Sequence, residues 1–360
     1  MSNRFRKPVT QGEAMKITIS DIAKQAGVSK ATVSRVLNHH PEGVGAEKRA
    51  QIQTILNETG FQPSGFARGL ATGKSHSIGL IIPNITNPFY PLLVRGVEDA
   101  LNRAGYSLFL CNSDGDLVKE KDYVRVLMEK GVDGVILNSA ASDCDCQLDL
   151  LEAQGVPYVT LDRIIEGQVL HYGVFLDNRE GARLATKYLL SQEGCRLAFL
   201  NGPADHSQSK LRGAGLEDVV KEEGLSLSSV RFFQGDDSIQ SGQLLIGEAL
   251  DTWKQGPDGI DLPFNAVFAG NDLMAIGALR ALKLYNVKVP EEVQVIGFDD
   301  IELAQLVEPA LSTVSQPTFE MGSRSAELLL QLINGKKPRT KTVTMKPTLV
   351  LRGTTKNLNN

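Results

Sequence analysis

Two glycine-containing segments and five histidines are the places where this sequence could carry out phosphate or nucleophilic chemistry. Residues 73–75 (GKS) match the end of a phosphate-binding loop, but Arg68 stands where that loop needs its first glycine. Residues 213–215 (GAG) match half of a dinucleotide-binding fingerprint, but Asp218 replaces its third glycine. The histidines fall mostly in predicted loops without a nucleophile nearby in a motif. The sequence therefore favours a binding protein over an enzyme and predicts no cofactor.

Metal binding and membrane insertion are also disfavoured. Cys144 and Cys146 lack a second pair of metal-ligating residues, and the four cysteines suggest no disulfide framework. No apolar run approaches the roughly 20 residues of a membrane span, and residues 1–14 lack the apolar core of a signal peptide. These features predict a cytoplasmic protein with no metal site and no membrane partner.

Basic residues cluster near the start of a chain whose net charge is −4. Between Lys16 and Lys74 there are eight lysines and arginines against four acids. The overall acidity would argue against nucleic acid, but phosphate contact needs only a local positive face. The amino-terminal segment is therefore the candidate for contact with DNA.

Helical periodicity within this segment predicts a helix, a tight turn and a second helix. The first helix spans residues 20–26, with Ser20 as its N-cap and Gly27 as its end. The second spans residues 30–37 and is capped by Ser29. This order is typical of a helix-turn-helix, whose second helix lies in the major groove of DNA. A plain three-helix bundle without a role in DNA binding is the alternative.

A third amphipathic helix is predicted over residues 46–59, ending at Gly60. After Pro63, residues 64–71 could form a short helix, but two glycines and its length make it unstable in isolation. It is expected to fold only against a partner, and the alternative is a flexible linker.

From residue 77 onward, short β-rich runs alternate with amphipathic helices. The predicted strands cover residues 78–82, 107–111, 134–137, 158–161, 173–176, 197–200, 266–269 and 293–297. The predicted helices cover residues 90–104, 119–130, 179–192, 209–223, 241–253 and 272–285. This alternation predicts two doubly wound α/β lobes with parallel sheets and a ligand cleft at the carboxyl ends of the strands.

The fold class expected is thus an all-α headpiece joined to a two-lobed α/β core. Residues 1–15 are expected to be a disordered arm, 16–62 the headpiece, 63–74 the hinge, 75–350 the core and 351–360 a tail. Within the core, lobe 1 is assigned residues 75–175 and 300–325, and lobe 2 residues 176–299 and 326–350. Residues 349–360 show no heptad pattern, which predicts no coiled coil.

Several motifs taken together resemble the LacI/GalR family of bacterial transcription regulators, from Ile17 to Arg352. They are ITISDIAKQAGVSKATVSRVLN, PSGFARGLA, IGLIIPNITNPFYPLLVRGVEDAL, FAGNDLMAIGALRAL, and VPEEVQVIGFDD followed by LSTVSQP. The resemblance implies a periplasmic-binding-protein-like core and operator DNA as a partner.

The resemblance also implies which headpiece residues contact DNA. Lys30, Ala31 and Arg35 occupy base-reading positions of the recognition helix, and arginine suits the paired acceptors of guanine. Leu70 matches the hinge leucine that wedges into the minor groove. The remaining positions expected at phosphates or in headpiece packing are Thr18, Ser29, Thr32, Ser34 and Asn38.

The family's effector pocket maps onto amide, carboxylate, arginine and aromatic residues. They are Asn87, Phe89, Tyr90, Asn138, Asp162, Arg163, Arg212, Asp237, Asn271, Asp299 and Gln316. Such groups around aromatic rings suit a polyol, since each hydroxyl both donates and accepts. The set resembles a pentose-binding pattern, ribose in particular. Asp237 departs from it, since relatives often carry an aromatic residue there, and this leaves other monosaccharides and sugar derivatives open.

Structural roles compete with these assignments. Asn271 and Asp299 could cap a helix or tie a loop, and Asp272 is predicted to be an N-cap rather than a ligand contact. Phe89 and Tyr90 could belong to the core.

The family resemblance implies a homodimeric repressor of carbohydrate-utilisation genes that reads a near-palindromic operator. A small sugar is expected to release the repressor from this operator. Three alternatives remain. They are a purine-type regulator with a corepressor ligand, a catabolite-control regulator with a phosphoprotein corepressor, and a solute-binding module alone.

Overall fold

The computed structural model describes residues 17–37, 42–61, 74–139, 146–162, 172–252 and 262–356. The chain divides into two compact units, Met1–Ser75 and His76–Asn360. The first unit is the headpiece and the second is the core. The expected disordered arm, most of the hinge and the end of the tail lie outside the described residues.

The headpiece consists of three helices, α1 (Ile19–Ala26), α2 (Lys30–Leu37) and α3 (Ala46–Thr59). They pack around an apolar centre in which Ile22, Val33 and Ile52 are fully buried. Helices α2 and α3 have the predicted bounds.

The prediction of Ser20 as the first N-cap is wrong. The cap is Thr18, whose hydroxyl oxygen accepts from the backbone N–H of Asp21 at 3.4 Å. The Asp21 carboxylate in turn accepts from the backbone N–H of Thr18 at 2.9 Å. This reciprocal capping box satisfies free donors at the helix start, so α1 begins at Ile19. Gly27 ends it in the left-handed conformation, with φ of 62°.

Lobe 1 of the core contains a fully parallel sheet in the order β11-β5-β4-β3-β1-β2. Its strands are β1 (Ser77–Ile82), β2 (Ser107–Asn112), β3 (Gly134–Leu137), β4 (Tyr158–Leu161), β5 (Gly173–Leu176) and β11 (Thr342–Met345). Its helices are α4 (Phe89–Arg103), α5 (Leu117–Glu129), α6 (Cys146–Ala153) and α12 (Thr318–Ile333).

Lobe 2 repeats the same strand order, β12-β10-β9-β8-β6-β7, with β12 antiparallel at one edge. Its strands are β6 (Leu197–Asn201), β7 (Arg231–Gln234), β8 (Ala266–Ala269), β9 (Gln294–Asp299), β10 (Ser312–Ser315) and β12 (Thr348–Val350). Its helices are α7 (Asn178–Leu190), α8 (Ser207–Glu222), α9 (Ile239–Asp251), α10 (Asp272–Leu284) and α11 (Leu303–Leu306), and a 3₁₀ turn spans Leu227–Ser229.

The chain crosses between the lobes three times, after β5, after β10 and after β11. This division differs from the expected one after residue 300. Strand β10 pairs with β9 in lobe 2, whereas α12 packs on α4 and β11 pairs with β5 in lobe 1. The cause is long-range pairing of short strands, which leaves little local trace in a sequence.

Close backbone contact between α4 and α12 depends on two glycines. A Cβ at Gly96 would collide with the carbonyl oxygen of Phe319, and one at Gly322 would collide with that of Leu93. The two helices therefore approach more closely than any side chain would allow, which fixes α12 after its crossover.

Gly96→Ala is expected to lower the free energy of unfolding by about 1–3 kcal/mol, because two packed backbones must separate. Gly247→Ala is the matched control, since Gly247 lies within α9 with nothing within 4 Å of an added Cβ. It should raise stability by up to ~1 kcal/mol through helix propensity. Urea unfolding of both variants measures the difference, and equal stability of the two would contradict the packing argument.

Candidate DNA-binding helix and ligand cavity

Helix α2 exposes the residue positions expected to read bases. Lys30, Ala31 and Arg35 are exposed, while Val33 and Val36 on the opposite face are buried against the headpiece core. The exposed surface of α2 thus carries two cations beside a small side chain, which suits approach to a DNA groove.

The smaller headpiece residues make local contacts. Ser29 caps α2, because its hydroxyl accepts from the Thr32 backbone N–H at 3.2 Å, as predicted. The hydroxyls of Ser29 and Thr32 lie 2.9 Å apart, and the Thr18 hydroxyl donates to Asp21 at 2.7 Å. Ser34 is half-buried. Asn38 and Leu70 lie outside the described residues, so all of these DNA contacts stay predictions.

A polar cavity lies between the lobes at the carboxyl ends of the strands. Its empty space is about 420 Å³, part of it open to solvent. The structure brings together nine of the eleven predicted ligand residues with three others. The lining residues are Asn87, Phe89, Tyr90, Asp162, His206, Gln208, Ser209, Arg212, Asp237, Asn271, Asp299 and Gln316.

Arg212, Asp299 and Gln316 form a buried network at the back of the cavity. The Gln316 amide donates to Asp299 Oδ1 at 2.6 Å, and Arg212 Nη2 lies 3.7 Å from the same oxygen. Arg212 also donates through Nε to Asn178 at 2.8 Å and through Nη1 to the Gly270 carbonyl oxygen. Its guanidinium lies 3.8 Å from the centroid of the Phe298 ring. These contacts hold the Arg212 guanidinium in place without a ligand.

Asp299 ends β9 with a φ of 118°, a conformation that non-glycine residues rarely adopt. Burial raises the pKa of its carboxyl well above the usual range, and the Arg212 guanidinium acts in the opposite direction. The nearby carboxylates of Asp272, Asp162 and Asp237 raise this pKa further. An unusual backbone and a buried carboxyl at one strand end are features that cluster at functional sites.

Asp162 follows β4 on the opposite side of the cavity, also at positive φ, 63°. Its Oδ2 accepts from the Gln208 side-chain amide at 2.8 Å, a hydrogen bond that crosses from lobe 2 to lobe 1. Asp162 Oδ1 and Gln316 Oε1 are buried and accept no hydrogen bond from the described residues. Two acceptors in the cavity wall therefore need donors that the described part of the chain does not supply.

Asn271 links the helix and loop that border the cavity in lobe 2. Its Oδ1 accepts from the Met274 backbone N–H at 2.8 Å, which makes it the N-cap of α10, and its Nδ2 donates to the Asp237 carbonyl oxygen at 3.0 Å. The prediction of Asp272 as the N-cap is therefore wrong.

Asp272 instead lies fully buried between the end of β9 and β10. Its carboxylate accepts from the Ile301 backbone N–H at 2.9 Å and from the Thr313 hydroxyl at 2.6 Å. These bonds tie together the segments that present Asp299 and Gln316. Asp272 thereby supports the cavity without lining it.

Phe89 and Tyr90 begin α4, and each is 6% exposed. Their rings meet edge to face, with centroids 5.2 Å apart. Both residues line the cavity and also belong to the apolar core. A position in the cavity wall and a position in the core are therefore compatible. Asn87 orders this corner, because its Oδ1 accepts from the Phe89 backbone N–H at 3.0 Å.

One predicted ligand residue, Asn138, is not in the wall of the cavity. Asn138 follows β3 and is fully buried, and neither atom of its amide has a hydrogen-bond partner among the described residues. Arg163 lies outside the described residues. Both assignments stay predictions.

Sequence reasoning missed His206, Gln208 and Ser209, which border the cavity at the start of α8. Only their position in the chain could have predicted them, because the loop after β6 lies at the same edge of the sheet as the other ligand-facing loops. The described residues contain no group of three or more metal-ligating side chains, and none of their helices could span a membrane.

Comparison with known families agrees with the two-unit architecture. Residues 18–64 match the helix-turn-helix domain of the bacterial regulatory proteins of the lacI family, and residues 186–355 match a periplasmic binding protein-like domain. The ribose operon repressor of Halalkalibacterium halodurans is 36% identical over 94% of this chain and 97% of its own. The transcriptional repressor PurR of Vibrio vulnificus is 32% identical over 95% and 99%.

Solved structures show the same architecture. The Lac repressor dimer bound to operator and the anti-inducer ONPF is 26% identical, with a TM-score of 0.82, over 94% of this chain and 99% of that one. A LacI-family regulator from Enterococcus faecium with bound ribose is 29% identical, with a TM-score of 0.69, over 78% and 98%.

This chain belongs to the LacI family. It is a helix-turn-helix transcriptional repressor with a periplasmic-binding-protein-like core. The relatives found by sequence are transcriptional regulators.

The Asp272 carboxyl should make stability depend on pH. Burial is the largest cause that raises its pKa to about 7, from an ordinary value near ~4 in the unfolded chain. The folded state thus binds the proton more tightly, and stability falls as the pH rises between these two values. Asp272→Asn should therefore gain stability relative to the parent protein from about pH 4.5 to about pH 7.5.

Urea unfolding at several pH values measures this difference. Asp218→Asn is the control, because a hydrogen bond from Arg179 lowers the pKa of the half-buried Asp218 carboxyl. The Asp218 carboxyl titrates below the tested pH range, so the difference in unfolding free energy between Asp218→Asn and the parent protein should not change with pH. If the corresponding difference for Asp272→Asn also does not change with pH, the Asp272 carboxyl does not titrate between about pH 4.5 and about pH 7.5.

Proposed function

We propose that this repressor binds a near-palindromic operator as a homodimer and is released by a small sugar, a monosaccharide of the ribose type or a derivative. The target genes would serve carbohydrate utilisation. The observation that carries the proposal is the surplus of hydrogen-bond acceptors in the cavity, together with two aromatic rings at its wall.

The acceptor surplus favours a ligand rich in hydroxyl groups. Asp162 Oδ1 and Gln316 Oε1 need donors, and leaving buried acceptors unpaired costs about 1–3 kcal/mol each. A hydroxyl donates to a carboxylate while accepting from an amide, so adjacent hydroxyls can engage several wall residues at once. A purine presents fewer donors, which makes the purine-type alternative a weaker match to these acceptors.

The aromatic rings fit the same ligand class. Phe89 and Tyr90 offer apolar surface for the C–H face of a sugar ring. The structure with bound ribose among the similar proteins supports this class, whereas the similarity to PurR keeps a purine ligand as a test outcome.

Release from DNA needs a ligand that prefers one arrangement of the lobes. Asp162 belongs to lobe 1 and Asp299 to lobe 2, and Gln316 lies on a crossover between them. A sugar bonded to all three would favour a closed cleft. If operator DNA favours a different lobe arrangement, the two ligands oppose each other by a coupling free energy of about 1–3 kcal/mol.

Dimerisation is supported by matching sheet edges. Strands β2 and β7 are the equivalent edge strands of the two sheets. Phe109 and Leu110 on β2 are 46% and 42% exposed, and Phe232 on β7 is 49% exposed. Exposed apolar edge strands invite pairing or aggregation unless they are covered. A second copy covering both edges would place one headpiece at each half of a palindrome.

The proposal is tested by a thermal-shift screen with pentoses, hexoses, sugar phosphates and purines, followed by operator release. The matched variants are Gln316→Leu in the cavity and Gln305→Leu on the exposed surface of α11. Loss of the Gln316 amide should weaken sugar binding roughly 10- to 100-fold, because both its acceptor and its bond to Asp299 disappear. Gln305→Leu should leave affinity within about threefold, as expected of a surface change.

Stabilisation by purines alone would overturn the sugar effector. Tight capture of a phosphorylated carrier protein, with no response to any sugar, would favour the phosphoprotein alternative instead. If selection from random DNA yields no duplex that the protein binds, only the alternative of a solute-binding module remains.

Base reading by α2 is tested on a duplex selected from random DNA and on its scrambled version. Arg35→Ala should weaken binding to the selected duplex roughly 10- to 100-fold and reduce discrimination, because a bidentate contact to guanine is lost. Arg49→Ala removes the same charge from α3 and should weaken both duplexes equally. Equal loss on both duplexes for Arg35→Ala would assign it to phosphate contact.

A further inference from the structure

We propose that the cavity accepts uncharged or cationic sugars and rejects anionic ones, and that Asp237 is the residue that sets this selection. The inference rests on the proposed sugar effector and narrows its chemical class. Sugar acids and sugar phosphates would then be poor ligands, while neutral sugars and amino sugars would be accepted.

The described lining of the cavity holds more acidic than basic side chains. The carboxylates of Asp162 and Asp237 line it together with the carboxyl of Asp299, whose pKa burial raises, against one guanidinium, that of Arg212. An anionic ligand would therefore meet net repulsion, which is strong where water is partly excluded.

Arg212 is poorly placed to compensate for an anion. Its Nε and Nη1 already donate to Asn178 and to the Gly270 carbonyl oxygen, and its Nη2 lies near Asp299. Its guanidinium also stacks over Phe298. Turning toward a ligand phosphate or carboxylate would break these contacts and leave the Asp299 carboxyl without its nearest cation.

Asp237 is held at the entrance of the cavity by its backbone and by a glycine. Its φ is 67°, and its carbonyl oxygen accepts from Asn271 Nδ2. Its carboxylate lies directly over Gly202, where a Cβ would collide with Asp237 Oδ1. The side chain is 32% exposed, and its Oδ2 lies 3.5 Å from His206 Nδ1.

Asp237 and His206 line both the inner cavity and the wider outer cleft that leads into it. A ligand that fills the inner cavity therefore lies beside Asp237. Ligand hydroxyl or ammonium groups can donate to this carboxylate, whereas ligand carboxylate or phosphate oxygens offer it only further acceptors. The residue thus acts on the ligand through both charge and hydrogen-bond direction.

The test compares sugars of the same parent skeleton that differ in one charged substituent, by calorimetric titration of the full-length protein. The hexose set is galactose, galactosamine and galacturonate, and the pentose set is ribose and ribose 5-phosphate. Within the set that binds, we expect the anionic member to bind at least 30-fold more weakly than the neutral one. Asp237→Asn should reduce that ratio at least fivefold, and asparagine tolerates the positive φ.

Asp236→Asn is the matched control, since it removes the same charge one residue away. The Asp236 carboxylate accepts from the Ser238 backbone N–H at 3.0 Å, and the residue borders the outer cleft but not the inner cavity in which a ligand rests. This variant should keep the ratio of the parent protein within about twofold.

The outcomes separate the two proposals. An anionic sugar that binds as tightly as its neutral counterpart overturns the selection but leaves the sugar effector standing. An unchanged ratio in Asp237→Asn removes Asp237 from the selection. Binding of a purine with no response to any sugar overturns both proposals.

Discussion

The carboxyl of Asp299 is the group on which the arrangement of the cavity depends. It lies at the end of β9 and meets both the guanidinium of Arg212 and the amide of Gln316. Burying a carboxyl is costly unless its oxygens have partners, so the surrounding elements must hold these partners in place. Asp272 does so indirectly, because its hydrogen bonds tie the segment after β9 to β10, which leads to Gln316.

This network joins ligand recognition to movement of the lobes. Gln316 lies on one of three crossovers, and the Gln208–Asp162 hydrogen bond spans the cleft directly. Gln208 and Asp162, two of the residues that line the cavity, therefore also join the two lobes. A ligand that replaces or adds to these bonds changes the relative free energies of lobe arrangements, which is the physical requirement for control of a repressor.

The sequence predictions that were wrong have two physical causes. Ser20 and Asp272 were assigned as caps from residue type and position, but Thr18 and Asn271 fill those roles. Polar residues close together in the sequence can each cap a helix, and side-chain geometry decides among them. Strands β10 to β12 are only three or four residues long, and their assignment to a lobe depends on distant partners.

The sequence by itself determined the family, the helix-turn-helix, the alternation of strands and helices and most of the cavity residues. These features depend on local periodicity or on motifs with fixed spacing. Tertiary structure alone decided which acceptors stay unpaired, how completely Arg212 is engaged and that His206, Gln208 and Ser209 join the site. It also placed Asp237 over Gly202 at the cavity entrance. Burial and contact across the cleft arise only when segments far apart in the chain pack together.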